Sequence, residues 1–141
     1  MKYATRMLAI VVTMMPLLAS AQLGSNGLVA KVPFQFRAGN TVVPAGQCIV
    51  QRAGTDPRTL LIRNSGAKVA LFAMARMVSA TKGSSGNALI FHKYGERYFL
   101  SGIRVSGSPT AYQLPEGKAE AELRAQNVPA SQETLLAQLQ Q

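Results

Sequence analysis

The chain's only histidine, His92, lies in the run LIFHKYGERYFLSGIRVSG, residues 89–107, with Lys93, Tyr94, Glu96, Arg97 and Tyr98 crowded beside it. An imidazole near a carboxylate and a phenol could relay a proton, and one among cations could hold an anion. The choice depends on which of these side chains share a face. Gly95-Glu96 suit the centre of a two-residue type II′ turn, in which Gly95 supplies the positive φ. Tyr94 then faces Arg97, Lys93 faces Tyr98, His92 faces Phe99 and Phe91 faces Leu100. Strand side chains alternate, so Leu89, Phe91, Lys93, Tyr98 and Leu100 share one side. Ile90, His92, Tyr94, Arg97, Phe99 and Ser101 share the other. His92 is set against an aromatic ring, and Glu96 stands at the turn tip in solvent. A general base needs an orienting partner and a substrate within reach, and this register supplies neither. The expectation is a hairpin without a catalytic residue, whose polar side, at His92, Tyr94 and Arg97, is the first place to look for binding.

Other chemistries find less support. A metal site wants three or four convergent His, Cys, Asp or Glu ligands, and one histidine, one cysteine and six acids argue against one. Paired catalytic carboxylates would have to come from Asp56 and Glu96, and no motif holds either. No Gly-rich loop is followed by Lys and Ser or Thr to cradle a phosphate, so no cofactor is expected. Ser-x-x-Lys occurs twice, as Ser65 to Lys68 and Ser79 to Lys82. The first spans a turn, and the Ser-x-Asn and Lys-Thr-Gly companions of penicillin-binding enzymes are missing. Cys48, in GQCIV, reads as a small buried hydrophobe.

The elements around the hairpin have strand character. Val32, Phe34 and Phe36 alternate with Pro33, Gln35 and Arg37, the period of a half-buried strand. Ala38-Gly39-Asn40 turns the chain, and TVVPAGQCIVQR (41–52) resumes it with a bend at residues 44–46. TLLIRN (59–64) is a further strand with Leu60 and Ile62 inward, ended by an Asn64-Ser65-Gly66 turn. KVALFAMARMVSA (68–80) has the Ala and Met content of a helix, but its neighbours are short strands and tight turns. It is read as a strand buried on much of both faces. KGSSGN (82–87) is a flexible loop. Five to seven strands with turns every eight to fourteen residues describe an antiparallel β-sandwich or small β-barrel. PEGKAEAELRAQ (115–126) has helical composition, with acids near its start where the helix dipole favours them. SQETLLAQLQQ (131–141) could add a short last helix capped by Ser131.

The N-terminus reads MKYATRMLAIVVTMMPLLASA. Lys2 and Arg6 precede an apolar run at residues 7–18, and Ala19-Ser20-Ala21 offers a cleavage site before Gln22. This is the three-part pattern of a secretory signal peptide, too short for the roughly 20 residues of a spanning helix. The expectation is therefore export to the periplasm or beyond, with no transmembrane span once the signal is removed. Charge is uneven: residues 22–115 carry 11 Lys and Arg against two acids, whereas residues 116–141 carry two cations against four acids. A basic body of this kind is drawn to anionic polymers of an envelope, although scattered cations also serve to keep a β-protein soluble. Nucleic acid is a poor fit for an exported chain whose aromatics alternate like core residues.

The runs VPFQF, VPAGQCIV, LLIRNSGAK, LIFHKYGERYFLSGI and QLPEGKAEAEL resemble a group of small exported proteins that recur in acidobacterial genomes. Their pattern is a Val-Pro-Phe-x-Phe strand, a Pro-Ala-Gly bend, an aromatic-His-x-Tyr-Gly-x-x-Tyr-Phe-Leu hairpin and a Leu-Pro element before a charged helix. The match runs from Val32 to about Leu123. It departs at Cys48, where an aromatic is usual, and at Gly117, in a stretch typically rich in Ser and Arg. The resemblance implies a shared fold and export, and it carries no catalytic residue onto this chain. The reading is thus a signal peptide at 1–21, a flexible leader at 22–30, an antiparallel β domain at 31–114 and a helical or partly disordered tail at 115–141. The expected role is a non-enzymatic envelope or extracellular component that binds an anionic polymer or another envelope protein. Its rivals are a hydrolase of envelope polymers with His92 as base and a purely electrostatic binder.

Overall fold

A computed structural model of the chain describes residues 27–80 and 86–139. The expected signal peptide, its expected cleavage point at Ala21 and Gln22, most of the leader and most of the 82–87 loop lie outside these residues. Eleven strands and one helix are described: β1 (Leu28–Val32), β2 (Phe36–Ala38), β3 (Thr41–Val43), β4 (Gly46–Arg52), β5 (Thr59–Asn64), β6 (Val69–Met74), β7 (Arg76–Ser79), β8 (Asn87–Tyr94), β9 (Arg97–Arg104), β10 (Thr110–Gln113), α1 (Lys118–Ala125) and β11 (Ser131–Leu139). The mainly β expectation holds, with more strands than the five to seven read from turn spacing.

The sheet runs β3-β2-β9-β8-β11-β1-β4-β5-β6, and β10 links β9 to β7. Because β7 continues β6 past Ala75, the ladder returns towards its start and forms a nearly closed barrel. All described pairs are antiparallel except β2 with β9, where Phe36 lies beside Tyr98 in a parallel register. That exception arises in VPFQF, which is not one strand. Val32 ends β1 and Phe36 begins β2, so residues 33–35 cross from one part of the sheet to another. Phe34, on this crossing, stacks on Tyr98 at 3.7 Å between ring centroids and meets Phe91 edge-on at 5.1 Å. Phe36 meets the same Phe91 ring at 5.1 Å. These aromatics close the barrel at the hairpin end.

The interior follows the period of two. Leu28, Ala30 and Val32, Cys48 and Val50, Leu60 and Ile62, and Leu89 and Phe91 are buried and form one core cluster. The β6–β7 segment departs from expectation: only one side of β6 packs inward, and Phe72 and Met74 on the other are 71% and 68% exposed. A strand at a barrel wall has one dry face, which the even apolar content of VALFAM concealed.

At β8–β9 the register is the one the turn chemistry calls for. Tyr94 pairs with Arg97, His92 with Phe99 and Phe91 with Leu100, and Gly95 has a φ of +62°. Beyond Leu100 a bulge shifts the pairing to Ile90 with Gly102. The extra residue, Ser101, donates its hydroxyl to the Ile90 carbonyl at 3.1 Å. The shift restores Ile103 to the core, where strict alternation would have turned it outward.

Leader and tail both need correction. Leu28–Ala30 belong to β1 rather than to a flexible leader. Residues 131–139 form β11, not a helix capped by Ser131, and β11 lies between β8 and β1. The helix itself is where its composition put it. Asn40 accepts a hydrogen bond from the Lys118 amide at 2.9 Å, capping α1 from a distant turn. Gly117 is buried so tightly that a Cβ there would overlap the Gly39 carbonyl group. At the other end Asn127 takes a φ of +56°. The Asn127 and Val128 amides donate to the Arg124 and Leu123 carbonyls, the Schellman closure that Pro129 then seals. Among the described residues no helix is long and apolar enough to cross a membrane.

Candidate functional site

The β8–β9 hairpin presents its second face to the outside of the barrel, and α1 lies across it. Tyr94 and Phe99 are buried there, with rings edge-on at 5.6 Å. What the helix brings is Glu120, whose side chain is only 7% exposed. Its Oε1 lies 2.6 Å from His92 Nδ1 and accepts the Tyr94 hydroxyl at 3.2 Å. An ionised carboxylate only accepts hydrogen bonds, so Nδ1 carries the proton and Nε2 is the nitrogen left for a ligand. The His92 side chain is 43% exposed. This overturns the expectation that His92 lacks a carboxylate partner.

The three residues line a groove of about 840 Å³ between the outer wall of β7–β10 and the helix. Arg76, Arg104 and Arg124 also line it, with Ser101, Gln113 and Gln132. Arg76 donates to Gln113 Oε1 at 2.6 Å, and Arg124 pairs with Glu116 at 2.7 Å. Three guanidinium groups against Glu116 and Glu120 leave the groove with an excess of positive charge. Burial and the facing carboxylates of Glu120 and Glu116 push the Tyr94 phenol above its ordinary pKa of 10. At neutral pH it is therefore a donor, committed to Glu120.

Of the residues that the sequence singles out, His92 and Tyr94 meet in this groove and Arg97 does not. Arg97 is exposed, with its guanidinium carbon 5.7 Å from the Phe99 ring centroid. Glu120 escapes a reading of the sequence, and only its position in the first turn of a charged helix after Leu-Pro hints at it. Ser101, which lines the groove beside His92, gives its proton to the Ile90 carbonyl rather than to His92. Cys48 is buried, and burial pushes its thiol up to about 11, so it stays protonated and unreactive at neutral pH. Among the described residues no three His, Cys, Asp or Glu side chains converge as metal ligands.

Compared with protein-family models, with curated proteins and with solved structures, the chain matches none.

Proposed function

We propose that this protein is a non-enzymatic binding component of the envelope or extracellular space, exported like the small proteins it resembles. A segment of an anionic envelope polymer lies in the outer groove. The observation that carries this reading is the His92–Glu120 contact of 2.6 Å inside a groove walled by three arginines. Glu120 fixes the imidazole with Nε2 turned to the groove. With both ring nitrogens protonated, Nε2 donates to an anionic oxygen, and a pre-oriented donor costs little entropy to engage. Phosphate or carboxylate oxygens on a polymer match both the imidazole and the guanidinium groups. The basic body, with its signal for export, supplies the approach.

Two variants test it, in a pull-down or calorimetric titration with a phosphorylated or uronic-acid polysaccharide. His92→Ala and Arg76→Gln each weaken binding about tenfold, the size of one charge-assisted hydrogen bond. Unchanged affinity in both sinks the groove as the site. Binding that vanishes at physiological salt, equally in wild type and variants, reduces the interaction to charge alone.

Glu120 also favours a second reading, in which His92 is the base of a hydrolase acting on envelope polymers. The orienting carboxylate that such a base needs is present. In that case turnover of a labelled polymer disappears in His92→Ala while the protein still unfolds cooperatively, and binding alone survives.

A further inference from the structure

The end of the barrel opposite the hairpin differs from the closed one. Strands β1, β4, β5, β9 and β11 all bring their ends there, at Leu28, Arg52, Leu60, Arg104 and Leu139. A second cavity, of about 370 Å³, opens at this mouth. Leu28, Val50, Leu60, Ile103, Val105 and Tyr112 form its apolar lining. The first four are buried core residues, so the cavity is continuous with the barrel interior. Leu139 stands at the lip, 44% exposed. Gln51, Arg52, Ser106 and Ser108 complete the polar part of the lining, which among the described residues contains no carboxylate. The Arg52 side chain makes no hydrogen bond or ion pair with any described residue.

We infer that this mouth binds a single-chain fatty carboxylate, with its hydrocarbon tail in the cavity and its carboxylate at Arg52. Apolar walls favour a ligand that removes hydrocarbon from water, and the cavity falls within the size range of small-molecule sites. An amphiphile is specified because Arg52, the only cation of the lining among the described residues, has no partner among them and stands beside polar hydroxyls. Aromatic closure at the hairpin end makes the site a blind pocket, so the tail enters first and the head remains at Arg52. Of the described lining residues this site shares only Tyr112 with the outer groove, and it does not depend on the function proposed for that groove.

Isothermal titration of the purified chain with octanoate, decanoate and dodecanoate, below their micelle concentrations, tests it. Affinity is expected to rise about fourfold for each added methylene until the cavity is full. Arg52→Gln should weaken dodecanoate about tenfold and leave dodecanol unchanged, because only the charged head loses its partner. Val105→Trp should fill the cavity and abolish binding of both, with a melting curve to show that the variant folds. If that variant does not fold, isotope-filtered NMR on the wild type decides, through contacts between the acyl chain and the methyl groups of Leu28, Val50 and Leu60. No binding at any chain length overturns the inference. So does binding indifferent to both substitutions, or acyl contacts that map to the exposed Phe72 and Met74 instead.

Discussion

The β8–β9 hairpin and the C-terminal segment that covers and flanks it are ordered by different means. In the hairpin, Leu89 and Phe91 alternate with polar or outward positions around Gly95, and Phe91 is completely buried. Its information is local: turn chemistry sets the register, and alternation chooses the inner face. In β11, only Leu135 and Ala137 turn substantially inward, and Leu136 is 76% exposed. Nothing in SQETLLAQL demands a strand. It is one because two neighbours each offer it a ladder. Ser131–Ala137 pair with β8, while Gln138 and Leu139 pair with Val29 and Leu28 of β1. A weakly patterned segment becomes a strand when two open edges need the same partner.

The largest effect follows from removing that partner. A chain ending at Ala130 keeps α1 but leaves β8 and β1 with unpaired edges. It should fail to fold cooperatively, with no sigmoidal urea transition and aggregation on concentration. A truncated chain that melts like the full one would return residues 131–139 to the status of a dispensable tail. Next comes the hairpin's inner face. Phe91→Ala removes the ring that Phe34 and Phe36 both pack against, and should cost about 3–5 kcal/mol in equilibrium denaturation. A loss below about 1 kcal/mol would mean that the aromatic closure of the barrel is not a tightly packed core.

How far each region was legible follows from the same contrast. Turn residues and alternation carried the register from Tyr94–Arg97 to Phe91–Leu100. They could not carry the bulge at Ser101, which depends on a hydroxyl reaching back to the Ile90 carbonyl. His92 and Tyr94 were visible as a polar pair, but their partner is 28 residues away from His92 on another element. Glu120 reaches them only because Gly117 lets the chain pass against Gly39 and Asn40 caps the helix there. Such contacts are tertiary, and composition reports only that a helix with acids at its start follows Leu-Pro. The VALFAM segment failed for the opposite reason, since its apolar residues occupy both the dry and the wet face of β6.

The smallest effect tests the point where the two regions join. Tyr94 donates to Glu120, and its pKa is raised first by burial, then by the charge and hydrogen bond of that carboxylate. The folded protein therefore holds the phenolic proton more tightly than the unfolded chain, whose tyrosine titrates near 10. Below pH 10 both states keep the proton and the full stability is present. As pH rises from 10 through the folded value, the unfolded state releases a proton that the native state retains, so stability falls. Tyr94→Phe should cost about 1 kcal/mol at neutral pH through the lost hydrogen bond, and its stability should decline less steeply above about pH 10. Glu120→Gln should flatten the same slope only in part, because burial, the larger cause, remains. Urea midpoints measured across this range separate the cases. Parallel curves for wild type and Tyr94→Phe would show that the helix does not hold the phenol against its carboxylate, and would detach α1 from the hairpin face beneath it.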